Sequence, residues 1–269
     1  MACETIPSPG RCARLRWWVE LHGSIPGGPY GEAGLIVRSL LVLWDIDHTL
    51  TENHGVNKET YAYAFELLTG HRAEIEAQTD GRTEPEIMLN MLLAHGIKPT
   101  PSHFERMPDV LEAATIAKAA DLRERGHELP GARDALATLQ AAPGIIQSVL
   151  SGNIKPNAIT KLSVFSLDSY IDFEVGGYGS DDHAREKLVA FARDRAAAKY
   201  GVQLGKTNTV LIGDTLRDVR AGRNGGAHVV GVATGPDTMD ALRSEGADIV
   251  LPDLRDTRVV VEAITSFVD

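Results

Sequence analysis

The chain has 269 residues, 43% hydrophobic and 24% charged, an ordinary globular balance with room for one large domain or a core and a small accessory domain. Its formal charge of −10 argues against a general nucleic-acid binder, since Lys and Arg hold phosphate backbones, and no apolar run approaches the roughly 20 residues that span a bilayer. Two cysteines, Cys3 and Cys12, and nine histidines without an HxxxH pair argue against a disulfide scaffold and against zinc.

Residues 1–37 carry Pro, Gly and Arg, with Arg-Leu-Arg-Trp-Trp at 14–18, but no continuous apolar stretch. They are expected to form a disordered extension rather than a secretory signal, and the cytoplasm is the expected location. Leu40 to Trp44 is a short apolar run ending in Asp45, which suits a buried parallel strand. From Asn57 to Arg125 the pattern is helical, with Tyr61, Phe65 and Leu68, then Ile87, Met88, Met91 and Leu92, then Val110 and Leu111. Gly70, Gly81, Gly96 and Pro99 to Pro101 divide this region into about four helices, predicting an all-helical insertion over 55–126.

Strand–helix alternation resumes after Pro130-Gly131. The pattern predicts a helix at 132–140, a strand at 145–150, a helix at 158–162 and an extended stretch at 170–175. A long helix at 184–200, a strand at 209–212, a helix at 219–224 and short strands at 229–232 and 248–251 follow. Repeated βα units imply a doubly wound α/β fold, a parallel sheet covered on both faces, built from 38–54 and 127–269. In such sheets ligands sit beyond the carboxyl ends of the strands, where strand order reverses. The polar residues that end each apolar run are therefore the candidates: Asp45 to Thr49, Ser151-Gly152-Asn153, and Gly213-Asp214-Thr215 with Asp218.

Four aspartates at one sheet edge repel one another and are costly without a cation. Oxygen-only ligands suit a hard ion such as Mg²⁺, which also binds substrate phosphate. A carboxylate that attacks phosphorus gives an aspartyl-phosphate. A second carboxyl two residues on can protonate the leaving oxygen and then activate water. Ser151 and nearby backbone N–H groups could hold phosphate oxygens, with a cation from elsewhere balancing the charge.

Asp45-x-Asp47-x-Thr49 after an apolar strand, Ser151-Gly152-Asn153, and Gly213-Asp214-Thr-x-x-Asp218 resemble, in order and spacing, the motifs of the haloacid dehalogenase-like superfamily. The resemblance spans about residues 40–252. It implies a Rossmann-like core with a helical cap, and a Mg²⁺-dependent phosphatase. Asp45 would be nucleophile and metal ligand, and Asp47 general acid/base and a metal ligand through its backbone carbonyl. Ser151, Gly152 and Asn153 would bind the phosphoryl group, Asp214 the metal, and Asp218 the metal in an outer-sphere or second-partner role. An insertion between the first and second motifs resembles the phosphoglycolate phosphatase and β-phosphoglucomutase branch.

The chain departs from the family pattern twice. His48 stands where Gly is commonest, and no Lys-Pro occurs where the third motif falls. Arg185 is the first choice for that cation and Lys187 the second; two residues apart on a helix, only one can face the phosphate. Lys155 reads as a solvated residue at a helix start. Arg82, in Gly81-Arg82-Thr83-Glu84, is a candidate for a substrate carboxylate or second phosphate. The expected partner is a small phosphate ester such as phosphoglycolate or a sugar phosphate, with no nucleic acid or membrane, on a monomer or homodimer. A phosphomutase that retains the phosphoryl group is the alternative. A non-catalytic binding protein on this fold would have lost key aspartates, and none is lost.

Overall fold

The computed structural model describes residues 39–268, so the expectations for 1–37 lie outside the described residues. In chain order the strands are β1 (Leu40–Trp44), β2 (Thr51–Glu52), β3 (His127–Glu128), β4 (Ile145–Ser151), β5 (Gly177–Tyr178), β6 (Thr209–Gly213), β7 (His228–Val232) and β8 (Ile249–Leu251). The α-helices are α1 (Val56–Thr69), α2 (Glu84–Ala94), α3 (Pro101–Arg125), α4 (Ala132–Ala141), α5 (Lys155–Val164), α6 (Arg185–Tyr200), α7 (Leu216–Gly225), α8 (Met239–Glu245) and α9 (Thr257–Thr265).

β1 is a fully buried apolar pentapeptide at the middle of a six-stranded parallel sheet of order β5-β4-β1-β6-β7-β8. It pairs from Leu40↔Ile145 to Trp44↔Val149 on one side and from Leu41↔Thr209 to Trp44↔Ile212 on the other. The chain runs outward from β1 through β4 to β5, returns to lay β6 beside β1, and runs outward again through β7 to β8. Strand order therefore reverses between β1 and β6, the crevice where open α/β sheets bind ligands. Successive side chains of β1 serve opposite faces. Leu41 and Leu43 pack with Leu188, Val189 and Ala192 of α6 and Ala221 of α7. On the other face Trp44 donates to Gln147 (3.2 Å), whose amide donates to the Leu136 carbonyl of α4 (2.9 Å), so this buried polar pair leaves no amide group unmet. α9 packs on α4.

The region 55–126 holds three helices rather than four. Pro101 opens α3 at its first turn, where a missing N–H does no harm, and Thr100 forms a capping box with His103. The helix then runs 25 residues, through Pro108, to Arg125. Tyr61, Phe65, Met88, Leu92 and Leu111 of the three helices build one apolar cluster, which also takes in Ile154 from beyond β4. The chain enters and leaves this insertion through β2 and β3, a two-residue antiparallel pair (Thr51↔Glu128, Glu52↔His127) that no periodicity could reveal.

The stretch 170–175 is not extended. Two 3₁₀ turns, Asp168–Tyr170 and Phe173–Val175, precede β5, because the Asp172 carboxylate accepts the Glu174 N–H (3.1 Å) and turns the chain.

Candidate active site

β1, β4 and β6 end side by side, and each delivers its polar segment to the same crevice. The Asp45 N–H donates to the Ile212 carbonyl (2.8 Å), fixing the first residue beyond β1 against β6. The loop after it doubles back, with Leu50 N–H and Thr51 N–H both donating to the Ile46 carbonyl (2.9 and 3.0 Å). His48 takes a φ of 62° in that turn, the left-handed conformation that makes glycine common at such a position. Its ring lies 2.8 Å from Glu52, and its carbonyl accepts the Thr234 hydroxyl (2.5 Å).

Carboxylate oxygens of Asp45, Asp214 and Asp218 lie within 4.8 Å of one another, and all three residues are buried. Arg185, at the start of α6, reaches the same spot, with Nη2 3.2 Å from Asp45 and in direct contact with Asp218. Lys187 is on the surface and pairs with Asp182 (2.8 Å). Asp218 also caps its own helix, accepting the Thr215 N–H (3.1 Å) and hydroxyl (2.6 Å), so it is both a helix-terminal charge and a member of the cluster. Thr49 donates to Asp214 Oδ1 (2.9 Å), while Asp214 Oδ2 is buried without a hydrogen-bond partner.

Burial, then the charges of Asp218 and Asp47, lift the Asp45 carboxyl to about 8, with Arg185 acting against them. Burial and the same kind of repulsion, from Asp218 and Asp45, push Asp214 well above the usual carboxylate range. With all three carboxyls ionised, the one guanidinium would leave two negative charges unbalanced, and this repulsion adds to burial in raising the proton affinity of Asp45 and Asp214. That deficit, the all-oxygen donor set and the unpartnered Asp214 oxygen fit a hard divalent cation such as Mg²⁺. Gly235 makes room here, since a Cβ on it would lie 1.7 Å from Asp214 Oδ2.

Asp47 is handled differently. Its carboxylate is drawn away from the other three by Lys161 Nζ (2.8 and 3.1 Å), Asn57 Nδ2 (2.8 Å) and Asn153 Nδ2 (3.1 Å). Burial works against its charge, but Lys161 and then the Asn57 hydrogen bond outweigh it and hold the carboxyl at about 2.

Ser151 Oγ accepts from Asn153 N–H (3.3 Å) and Nδ2 (2.7 Å), which ties the loop after β4 to Asp47. Lys155 pairs with Glu174 (2.6 Å), away from the aspartates. The segment 82–84 lies directly on this loop: the Glu84 N–H donates to the Gly152 carbonyl (2.8 Å), and a Cβ on Gly152 would meet the Arg82 carbonyl at 2.1 Å. Gly152→Ala must therefore push the segment off the loop. We expect a loss of about 1–3 kcal/mol in urea unfolding and a larger loss of activity, both measured on purified protein. Arg82 lines the resulting cleft, which opens to solvent, and lies 3.4 Å from Glu86. Asp45, Asp47, Ser151, Arg185 and Asp214 line the same cleft.

Four polar residues of this site are missing from the expectations above: Asn57, Glu84, Asn157 and Lys161. Glu84 is buried and accepts from the Ile154 N–H (2.8 Å), Asn157 Nδ2 (2.9 and 3.1 Å) and the Tyr61 hydroxyl (3.3 Å). Burial raises its carboxyl above the usual range, while the charge of Lys161 opposes that rise. Periodicity offers a signal that the two are buried, though not what they meet: Lys161 lies three residues after buried Ala158, and Glu84 three and four residues before buried Ile87 and Met88.

The haloacid dehalogenase-like hydrolase family matches residues 42–223. The pyrophosphatase PpaX of Halalkalibacterium halodurans is 24% identical over 228 residues, 80% of this chain and 94% of that protein. A hydrolase from Pseudomonas syringae superposes with a TM-score of 0.61 at 21% identity, over 84% of this chain and 99% of its own. A predicted phosphoglycolate phosphatase from Haemophilus somnus gives 0.60 at 16% identity, over 84% and 99%. With the reversal of strand order between β1 and β6, the aspartates gathered there and a match over two thirds of its length, the chain belongs to the haloacid dehalogenase-like hydrolase family.

Proposed function

We propose that the protein is a Mg²⁺-dependent phosphatase of small phosphomonoesters that works through an aspartyl-phosphate on Asp45. The observation that carries this reading is Asp45 at the end of the central strand, buried beside Arg185 and two further carboxylates at the base of the cleft. Asp45 Oδ attacks phosphorus and the ester P–O bond breaks, the leaving oxygen taking a proton from Asp47. Asp47 then accepts a proton from water as that water attacks phosphorus; the Asp45 Oδ–P bond breaks and inorganic phosphate leaves.

Ser151 Oγ and the backbone of 152–153 hold the phosphoryl oxygens, and Arg185 balances the charge that builds on them. Asp47 is ionised as it stands, ready for the second step; a phosphate dianion beside it raises its proton affinity for the first. Asp45, Asp214 and the Asp47 carbonyl, with Asp218 as an outer-sphere or second partner, would hold Mg²⁺, which when bound would offset the carboxylate repulsion and favour the ionised form of Asp45. Residues 55–126 act as a cap on the core of 38–54 and 127–269, and close the cleft over the leaving group, where Arg82 meets a carboxylate or second phosphate.

The test is phosphate release from a panel of phosphoglycolate, sugar phosphates and pyrophosphate (the last suggested by the PpaX relative), with Mg²⁺ and with EDTA. We expect Mg²⁺-dependent release from at least one monoester. Undiminished release in EDTA would remove the metal from the reading. Transfer of phosphoryl groups between sugar hydroxyls without free phosphate would replace the phosphatase with a mutase. Binding should also be visible without turnover: Mg²⁺ raises the Tm by the usual ligand linkage, and Asp214→Asn abolishes that rise.

A further inference from the structure

Lys161 is the buried lysine among the described residues, 3% exposed on α5. An ammonium is expensive to bury, and a buried ion pair adds little stability over an apolar pair of the same shape. Its surroundings show what it is placed to do. Nζ bonds both oxygens of Asp47 (2.8 and 3.1 Å), while Asn57 from the helical insertion takes Oδ1 and Asn153 from the loop after β4 takes Oδ2. Donors on both oxygens fix the rotation of the carboxylate as well as its position. The charge of Lys161 also reaches Glu84, which is tied to Ile154 and Asn157 at the start of the same helix.

We infer that Lys161 is a positioning residue for proton delivery: it aims the Asp47 carboxyl at the leaving oxygen and keeps it out of the Asp45–Asp214–Asp218 cluster. This rests on Asp47 being the acid and base of the reaction. Without Lys161 each Asp47 oxygen keeps one neutral donor, Asn57 on Oδ1 and Asn153 on Oδ2, but the carboxylate loses the one cation that bonds both oxygens at once.

The leaving group separates this role from a structural one. An alkyl phosphate must be given a proton as its P–O bond breaks; 4-nitrophenyl phosphate leaves as a stable anion and needs none. The reading is the first turnover, with enzyme in excess, which isolates formation of the aspartyl-phosphate from its hydrolysis. For Lys161→Met we expect first-turnover cleavage of the alkyl ester to fall about 100-fold and that of the aryl ester to change by less than about threefold, the range a general acid supplies. Asp47→Asn should give the same pattern. Lys161→Met with Glu84→Gln removes one charge of each sign and supplies a folded background should the single variant unfold; the same selective loss is expected there.

Equal losses on both esters, or no loss on either, would overturn the inference. If Asp47→Asn discriminates between the esters and neither Lys161 variant does, the inference alone is wrong. If Asp47→Asn itself fails to discriminate, the acid role of Asp47 falls, and the inference with it.

Discussion

Asp45→Asn is expected to fold and to lose turnover by a factor on the order of 10⁴–10⁶, the scale on which enzymes lose rate when the nucleophile is removed. An amide cannot attack phosphorus as a carboxylate does, and neighbouring Asp47 is turned toward Lys161 and cannot replace it. Stability should move the other way. Burial lifts the Asp45 carboxyl from 3.8 to about 8, so the folded protein is penalised for ionising it. That penalty begins above pH 4, grows until about pH 8 and levels off there, reaching a few kcal/mol at neutrality (an order-of-magnitude figure). In EDTA the Asn variant should therefore melt above the parent protein, by more at pH 8 than at pH 5. The amide oxygen still accepts from Arg185, and Arg185 keeps its contact with Asp218. Saturating Mg²⁺ should narrow or reverse the difference, since the parent offers the ion one more carboxylate. An Asn variant that turns over at the parental rate would remove Asp45 from the mechanism.

Arg185→Met carries the second large effect, now on both stability and rate. Arg185 is 7% exposed and is the cation in contact with Asp45 and Asp218. Taking away one partner of a buried ion pair leaves uncompensated charge and costs about 3–5 kcal/mol. The loss should show in the urea midpoint at pH 8 and shrink at pH 5, where protonation relieves Asp45, whose carboxyl is held at about 8. Activity should fall about 10²–10³-fold, the effect of losing one fixed charge at a reacting group. Arg185→Lys keeps the charge and should recover much of both. Lys187→Met is the contrast: Lys187 is on the surface with Asp182, and its loss should leave stability and rate unchanged. An Arg185→Met protein as stable and as active as the parent would mean that the guanidinium is incidental to the cluster.

β1, β4, β6, β7 and β8 were legible as short, largely apolar runs, the pattern that burial on both faces of a parallel sheet demands, whereas the two-residue β2, β3 and β5 carry no such run. Asp45 and Asp214 were legible for the same reason, being the first residues after β1 and β6, and Ser151 as the polar residue that ends β4. The choice of Arg185 over Lys187 could be posed from spacing, and the structure puts the two on opposite sides of α6. What the sequence hid was the second layer. Lys161, Glu84 and Asn57 look like surface residues by type, and only their burial reveals that each faces a partner across 70 residues or more, or across the boundary of the insertion. The turns at 168–175 were misread because Asp172 spends its carboxylate on the local backbone, a choice that apolar patterning does not register. α8 was missed because it is seven residues long and buries one apolar side chain, Leu242, whereas α9 carries a readable apolar face of Val260, Val261, Ala263 and Ile264 behind its Asp256 cap.

The two-residue ribbon of β2 and β3 has a consequence for how such a protein diversifies. Because Thr51 and Glu128 are cross-strand partners, the 76 residues between them begin and end at one place. Lengthening or replacing a segment whose ends are already held together changes the closure entropy only slowly. On the proposed reading, substrate range would be rewritten by exchanging that stretch while β1, β4 and β6 stay as they are. The exchange is not neutral for the chemistry, however, because Asn57 and Glu84 travel with it. On the same reading, a lineage that inherits a new leaving-group pocket would also inherit a new set of restraints on Asp47, so that selectivity and proton delivery would evolve as one heritable unit.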